Sequence, residues 1–218
     1  MAQATMSLEL ILIRHGETDW NKDRVFRGQM DMRMNATGIA QADATAEALK
    51  DVVFDAIYSS PLKRSLVTAR RIAKPHEIEV RVGNGFTDIY FGAWQGLTEA
   101  QVEGRHPKLL QKWRENPTRF RPPSGESASK AWKRVNSQLR ELLFTHGTGT
   151  VVVVSHRVPL KMMTAYLMKR KLGEIHQIKH DPCAISVFKV HGKDEYEVVR
   201  LNDTSHLRRL RLPEPDDF

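Results

Sequence analysis

The feature that most constrains this sequence is a series of short apolar runs that alternate with helical patterns. The clearest run is four consecutive valines at residues 151–154, and a second, LELILI, occupies residues 8–13. Short apolar runs without alternation are typical of strands that are buried on both faces of a sheet. Further strand patterns lie at residues 55–58, 79–82, 184–190 and 196–201, and helical patterns at 36–50, 62–74, 127–146 and 158–170. This order predicts an α/β fold, a three-layer α/β/α arrangement with a mostly parallel central sheet.

The chain length and the proline distribution predict how this fold is organised. A chain of 218 residues suits one domain with a substantial core, so we expect a single domain over residues 1–218. Between residues 97 and 125 the pattern breaks into short helices and loops around Pro107, Pro117, Pro122 and Pro123. We expect this segment to be a small insertion over the carboxyl edge of the sheet.

The composition of the chain indicates its cellular compartment and the kind of ligand that it binds. No apolar run approaches the roughly 20 residues of a membrane span, and residues 1–7 lack the pattern of a signal peptide. The single cysteine, Cys183, suits a reducing compartment and is expected to be a buried apolar residue. We therefore expect a cytoplasmic protein without a membrane partner. The formal charge of +8 favours anionic ligands, but the basic residues are scattered, which favours a small phosphate over a nucleic acid.

Polar side chains follow three of the predicted strands at the point where each strand ends. Arg14 and His15 follow the first strand, residues 59–64 (SSPLKR) follow the second, and Ser155 and His156 follow the valine run. Parallel strands bring their carboxyl ends to one edge of the sheet, where α/β proteins place their sites. Two histidines and two arginines should therefore meet there. Guanidinium groups match phosphate oxygens and an imidazole nitrogen is a competent nucleophile, so no metal or other cofactor is required.

Several motifs in this region resemble those of the histidine phosphatase superfamily, the phosphoglycerate mutase-like family. Residues 14–21, RHGETDWN, resemble the signature R-H-G-E-T-x-W-N. The other matches fall in the expected order and span roughly residues 8–206: RG at 27–28, SSPLKR at 59–64, FGAWQG at 91–96, GES at 125–127 and VVSH at 153–156.

The resemblance implies a role for each matching residue. His15 would be the nucleophile that becomes phosphorylated, and His156 would lie beside the phosphoryl group. The proton donor of the family is usually a glutamate three residues before the F-G pair, a position that Asp88 occupies here with a shorter carboxyl side chain. The residues that would bind the substrate phosphate are Arg14, Asn21, Arg27, Gly28 and Arg64.

The sequence departs from the common family pattern at two further places. The second histidine continues as His156-Arg157-Val158-Pro159, which resembles the S-H-x-V-P variant of phosphoserine-phosphatase-like members, as does the ending around His206. Arg157 either reaches a second anionic group of the substrate or points to solvent, and His206 either folds over the pocket or belongs to the tail. Gln95 replaces a common glutamate. Structural roles are expected for two tryptophans and six histidines: Trp113, Trp132, His76, His106, His146, His176, His180 and His191.

Phosphomonoester hydrolysis is the leading functional hypothesis. A mutase is the first alternative, although the short segment between residues 96 and 125 favours an open pocket that admits water. A non-catalytic phospho-ligand sensor and a nucleic-acid-binding protein are the others. Phosphoserine, a sugar phosphate, phosphoglycerate and α-ribazole phosphate all fit as the small phosphorylated metabolite. The resemblance is also compatible with a homodimer.

Overall fold

The described part of the chain forms a six-stranded sheet with helices on both of its faces. The computed structural model describes residues 7–22, 25–115, 118, 120–192 and 194–210. The strands are β1 Leu8–Arg14, β2 Ala56–Ser59, β3 Val80–Val82, β4 Gly149–Ser155, β5 Ile185–Val190 and β6 Tyr196–Asp203. The helices are α1 Asp19–Lys22, α2 Ala36–Leu49, α3 Lys63–Ala73, α4 Glu99–Arg105, α5 Pro107–Glu115, α6 Ala128–Thr145 and α7 Arg157–Leu167.

The order of the strands explains how distant segments reach one edge of the sheet. The order is β3-β2-β4-β1-β5-β6, in which the first four strands run parallel and β5 and β6 run antiparallel to their neighbours. In this register Arg14 pairs with Ser155, and Ser59 pairs with Val154. Because β1, β2 and β4 end at the same level, the residues that follow them leave the sheet side by side. The predicted mostly parallel sheet is confirmed.

Alternating side chains of the central strands form two apolar cores. Leu10 and Leu12 of β1 belong to a cluster that includes residues of α6 and α7, such as Leu139 and Leu160. On the opposite face, Ile13 belongs to a second cluster with residues of α2 and α3. A strand whose two faces are both covered reads as an uninterrupted apolar run, which explains the sequence of β1 and β4. The three-layer α/β/α prediction is confirmed.

The segment predicted as an insertion contains α4 and α5. Thr98 caps α4 by accepting a hydrogen bond from the backbone N–H of Gln101, whose side chain accepts in return from the backbone N–H of Thr98. The backbone N–H of Phe26 donates to the carbonyl of Leu97, which ties this segment to the loop after α1. Trp94 fills the space beneath, in ring contact with Phe26.

The structure corrects two element boundaries. The sequence predicts no helix before residue 36, yet this region contains α1, where Thr18 donates two hydrogen bonds to the Asn21 side chain. The helix predicted over residues 158–170 ends at Leu167, because Lys169 takes a left-handed conformation with φ of 55°. Among the described residues, no helix is long and apolar enough to cross a membrane.

Candidate active site

The two histidines and two arginines predicted from the strand ends form one buried cluster. Arg14 is the last residue of β1 and His15 follows it, His156 follows β4, and Arg64 lies in the first turn of α3. All four side chains are buried. The imidazole rings of His15 and His156 are 5.1 Å apart between centroids. Burial of so many polar groups is costly unless each has a partner, so the hydrogen bonds of the cluster define its chemistry.

His15 is held as a neutral imidazole with one nitrogen available for reaction. Its Nδ1 lies 2.7 Å from the carbonyl oxygen of Gly16. A carbonyl oxygen can only accept, so Nδ1 carries the proton and Nε2 keeps its lone pair. Burial, followed by the charges of Arg64, Arg14 and Arg27, lowers the pKa of His15 well below its usual value. The imidazole is therefore neutral at neutral pH, with Nε2 unprotonated, as a nitrogen nucleophile must be.

His156 is fixed in the opposite tautomer. Arg64 donates from Nε to Nδ1 of His156 at 3.1 Å. Nε2 then carries the proton and donates to the hydroxyl of Ser60 at 2.7 Å. Burial and the positive charge of Arg64 lower the pKa of His156 as well. His156 thus acts as a neutral hydrogen-bond donor, and its proton-bearing nitrogen differs from that of His15.

Arg64 connects the second histidine to the loop after α1. Its Nη1 donates to the carbonyl of Met30 at 2.7 Å and its Nη2 to the carbonyl of Gly28 at 2.8 Å. Burial lowers the pKa of Arg64 to about 10, which still leaves the guanidinium charged at neutral pH. Since a guanidinium carries five N–H donors, the three used here leave others for an anion.

Gln95 gives the same loop its shape. Its Oε1 accepts a hydrogen bond from the backbone N–H of Gln29 at 2.8 Å. A Cβ on Gly28, where φ is 51°, would lie 2.3 Å from that oxygen. Gly28 is therefore required by both its left-handed backbone and this close approach. An amide is sufficient at position 95, because the contact needs only an acceptor oxygen.

Arg14 and Arg27 approach from two further directions. Arg14 donates from Nη1 to the carbonyl oxygen of His180 at 2.9 Å, which anchors its buried guanidinium. Arg27 is half-buried and lines a small cavity of about 30 Å³ together with Gly28 and Asp88. Both arginines contribute to the low pKa of His15, so their positive charge acts on the same volume.

Asp88 is a buried carboxyl at the rim of this cluster. Its Oδ1 accepts from the backbone N–H of Ile89 at 2.9 Å, and its Oδ2 lies 3.6 Å from Nη2 of Arg64. Burial raises the pKa of Asp88, and the charges of Arg64 and Arg27 only partly oppose that shift. A carboxyl with a raised pKa stays protonated over a wider pH range, which suits a proton donor.

The remaining predicted residues have different surroundings. Asn21 is buried and uses its Oδ1 to accept from Thr18, so its visible role is to shape the loop after His15. Arg157, the first residue of α7, lines the small cavity beside Asp88. His206 does not line this cavity, nor a second cavity of about 300 Å³ that lies next to it. Its Nε2 lies 3.1 Å from the hydroxyl of Thr45 on α2.

The sequence did not indicate the walls of a second, larger cavity of about 300 Å³. Trp113, expected to be a packing residue, lines both cavities, as do Arg157 and Val158. The large cavity therefore opens beside the small one that Arg27, Gly28 and Asp88 line. Its other described lining residues come from α4, α5, α7 and the segment after α7: Glu99, Arg114, Lys161, Ile175 and His176.

Among the described residues, no group of three or more His, Cys, Asp or Glu side chains is arranged to hold a metal ion. The positive charge around His15 comes instead from arginine side chains.

The cluster combines a neutral imidazole with a lone pair, three guanidinium groups and a carboxyl of raised pKa. Groups of these kinds can serve as a nucleophile, as charge stabilisation and as a proton donor, which are the components of phosphoryl transfer. The fold and the site thus define an enzyme of the phosphotransfer class.

Comparison with known proteins identifies the family to which this enzyme belongs. Residues 10–204 match the family model of the histidine phosphatase superfamily, branch 1. The chain belongs to this superfamily and is a phosphatase.

Three similar proteins illustrate the relationship. Phosphoserine phosphatase 1 of Hydrogenobacter thermophilus is 34% identical over 201 residues, covering 92% of this chain and 94% of the relative. Glucosyl-3-phosphoglycerate phosphatase of Mycobacterium tuberculosis is 32% identical over 168 residues, covering 73% and 75% of the two chains. The structure of YhfR from Bacillus stearothermophilus superposes with a TM-score of 0.86 at 26% identity, covering 92% of this chain and 99% of that one.

The buried side chain of His180, beside the site, should make the free energy of unfolding depend on pH. Burial lowers the pKa of His180 to about 3, whereas an unfolded histidine titrates near 6.5. The unfolded chain therefore binds one more proton below about pH 6.5, and stability falls as the pH is lowered. Between pH 7 and pH 5, we expect His180 alone to lower the free energy of unfolding by about 2 kcal/mol.

The measurement is urea unfolding at both pH values in a phosphate-free buffer. His180→Gln should lose about 2 kcal/mol less than the wild type over this interval. Parallel losses in wild type and His180→Gln would contradict the assignment.

Proposed function

We propose that this phosphatase hydrolyses a small organic phosphomonoester without a metal, through a phosphohistidine on His15. The observation that carries the proposal is the contact between His15 Nδ1 and the Gly16 carbonyl, which leaves the lone pair on Nε2. A neutral nucleophile in a pocket of guanidinium groups can approach a phosphate dianion whose charge those groups neutralise.

The first step transfers the phosphoryl group to the protein. Nε2 of His15 forms a bond to phosphorus while the ester P–O bond breaks on the opposite side. The leaving alkoxide takes the proton of the Asp88 carboxyl and departs as an alcohol. Arg14, Arg27 and Arg64 stabilise the charge on the equatorial oxygens. His156, held by Arg64 and Ser60, lies beside the His15 ring as a wall of the phosphoryl pocket.

The second step returns His15 to its starting state. Asp88, now a carboxylate, takes a proton from a water molecule as the water oxygen bonds to phosphorus. The P–N bond breaks, inorganic phosphate is released, and the electron pair returns to Nε2 of His15. Asp88 ends protonated, so one ester and one water give one alcohol and one phosphate.

The similar proteins support a small ester as the substrate. The relative from Hydrogenobacter acts on phosphoserine and the mycobacterial one on glucosyl-3-phosphoglycerate, as their names state. Both are phosphomonoesters of small hydroxylated molecules. We propose a substrate of this kind for the present enzyme.

The test is phosphate release from a panel of small phosphomonoesters, with and without EDTA. The panel includes phosphoserine, 3-phosphoglycerate, glycerol 3-phosphate, a sugar phosphate and p-nitrophenyl phosphate. We expect hydrolysis that EDTA leaves unchanged. Loss of activity in EDTA with recovery on adding a divalent metal would contradict the metal-independent route. Isomerisation of phosphoglycerate with a bisphosphate primer, in place of hydrolysis, would favour a mutase; neither activity would favour a phospho-ligand sensor.

A further inference from the structure

We infer that the cavity of about 300 Å³ beside Asp88 is a subsite for the leaving alcohol and selects alcohols that carry a second anionic group. The inference rests on the proposed function, since it assigns the part of the substrate that His15 does not touch. A carboxylate and a second phosphate share the required chemistry.

The small cavity and the large cavity are continuous, which places the large one next to the leaving oxygen. The small cavity contains Arg27, Gly28 and Asp88, the residues proposed to meet the phosphate and the leaving oxygen. It shares Trp113, Arg157 and Val158 with the large cavity. An alcohol that accepts a proton from Asp88 therefore has the large cavity next to it. A volume of about 300 Å³ is within the range of small-molecule sites.

The charge of the walls is the second argument. Arg157 and Lys161 both line the large cavity and are four residues apart on α7, so they share one face of that helix. The first turn of a helix adds further positive potential. Glu99 is the one carboxylate among the described lining residues, and it accepts hydrogen bonds from Nε and Nη2 of Arg114. Arg157 and Lys161 thus place two cationic side chains on the α7 side of the cavity.

The apolar walls restrict the ligand further. Val158 and Ile175 are buried and line the cavity together with the ring of Trp113. These surfaces favour a carbon skeleton between the phosphate and the second anionic group. The substrate class is therefore a phosphomonoester of a small organic acid, or of an alcohol that bears a second phosphate.

A matched set of three-carbon substrates tests the subsite. The set contains 3-phosphoglycerate, propane-1,3-diol bisphosphate and glycerol 3-phosphate, in which an uncharged hydroxymethyl group replaces the carboxylate. We expect kcat/KM for at least one of the two esters with an anionic tail to exceed that for glycerol 3-phosphate about tenfold or more, the scale of one charged hydrogen bond. Comparison of the first two substrates separates a carboxylate from a phosphate.

Lys161→Met should remove the preference. Its kcat/KM for the preferred anionic ester should fall about tenfold, with less than about twofold change for glycerol 3-phosphate. Lys133→Met, at an exposed lysine on α6, serves as the matched control and should change neither. Equal use of all three esters, or equal losses in Lys161→Met, would overturn the subsite and leave the proposed function intact.

Binding measurements on a catalytically inactive variant distinguish a failure of the subsite from a failure of the proposed phosphohistidine route. Titration calorimetry of His15→Ala with the three esters reports the subsite without turnover. Preferential binding of an anionic ester that Lys161→Met abolishes would support the subsite even if the phosphohistidine route were wrong. Indifferent binding would overturn the subsite whatever the enzyme assay shows.

Independent contacts point to Arg134 on α6 as a positioning residue for Asp88, and we propose this role. Its Nη1 donates to the carbonyls of Gly85 at 2.8 Å and Thr87 at 2.9 Å, and its Nη2 lies 3.3 Å from the carbonyl of Asp88. Its Nε and Nη2 also donate to the carboxylate of Glu126 at 3.0 and 2.8 Å. One half-buried guanidinium thus fixes the backbone that carries the proton donor.

A comparison of leaving groups tests this role. p-Nitrophenolate leaves without a proton, whereas the alkoxide of glycerol 3-phosphate requires one. Arg134→Met should lower kcat/KM for glycerol 3-phosphate about tenfold or more and leave p-nitrophenyl phosphate within about threefold. Arg134→Lys should recover part of the loss. Arg140→Met, a control on the same helix, should keep wild-type kcat/KM for both esters. Equal losses with both esters in folded Arg134→Met would overturn the positioning role.

Discussion

Replacement of His15 by alanine is expected to lower phosphatase activity roughly ten-thousandfold or more, the scale seen when a covalent nucleophile is removed. The arginines and His156 remain in the variant, so substrate binding should persist. Phosphate release from the preferred ester, followed under single-turnover conditions, is the measurement. No phosphoryl acceptor of the same geometry replaces His15, because His156 directs its proton-bearing nitrogen to Ser60.

The matched control is His191→Ala, a histidine that pairs with Glu197 at the far end of β5. It should keep activity close to that of the wild type. If His15→Ala retained more than a few per cent of wild-type activity, direct attack by water or another nucleophile would be the better account.

The second large effect is expected for Asp88→Asn. The amide keeps the size of the carboxyl and can still accept from the N–H of Ile89, but it has no acidic proton to give. We expect kcat/KM for alkyl phosphates to fall roughly 100- to 10,000-fold. For p-nitrophenyl phosphate the fall should stay within about threefold, since that leaving group needs no proton. Steady-state kinetics with both esters is the measurement.

The pH profile provides a second readout for Asp88. Because burial raises the pKa of Asp88, its protonated form persists above the usual range of aspartate, and activity on alkyl esters falls as the pH rises through that pKa. Because the pKa of His15 is lowered, the nucleophile stays neutral below the usual range of histidine. Asp88→Asn should abolish the alkaline fall, and Asp51→Asn, an exposed change, should preserve it. An equal loss with both esters would contradict the proton-donor role.

The sequence predicted those elements whose hydrophobic pattern is visible within a single short segment. The apolar runs of β1 and β4 are continuous because both faces of those strands are covered by helices. α1 was not predicted, since a segment of four residues, DWNK, is too short to show hydrophobic periodicity and the Thr18–Asn21 contact forms the turn. The end of α7 was placed too late because a left-handed Lys169 has no signature in the sequence.

The core of the site could also be placed from the sequence. Parallel strands that end level must bring the residues after them together, and the register of Arg14 with Ser155 does so. The family resemblance then gave each residue an expected role. The lining of the large cavity could not be predicted, because Trp113 and Lys161 meet there only through the packing of separate helices. The contacts of Arg134 with the carbonyls before Asp88 are likewise long-range and leave no motif.

The most direct test of the account is to trap the covalent intermediate and locate it. The enzyme is mixed with the preferred ester and quenched in alkali within milliseconds, which preserves the acid-labile P–N bond, and the peptides are sequenced by mass spectrometry. The account predicts one phosphoryl group per chain on His15 during turnover, and none in His15→Ala. Turnover with no phosphorylated peptide in repeated early quenches, or with the phosphoryl group on His156, would contradict it.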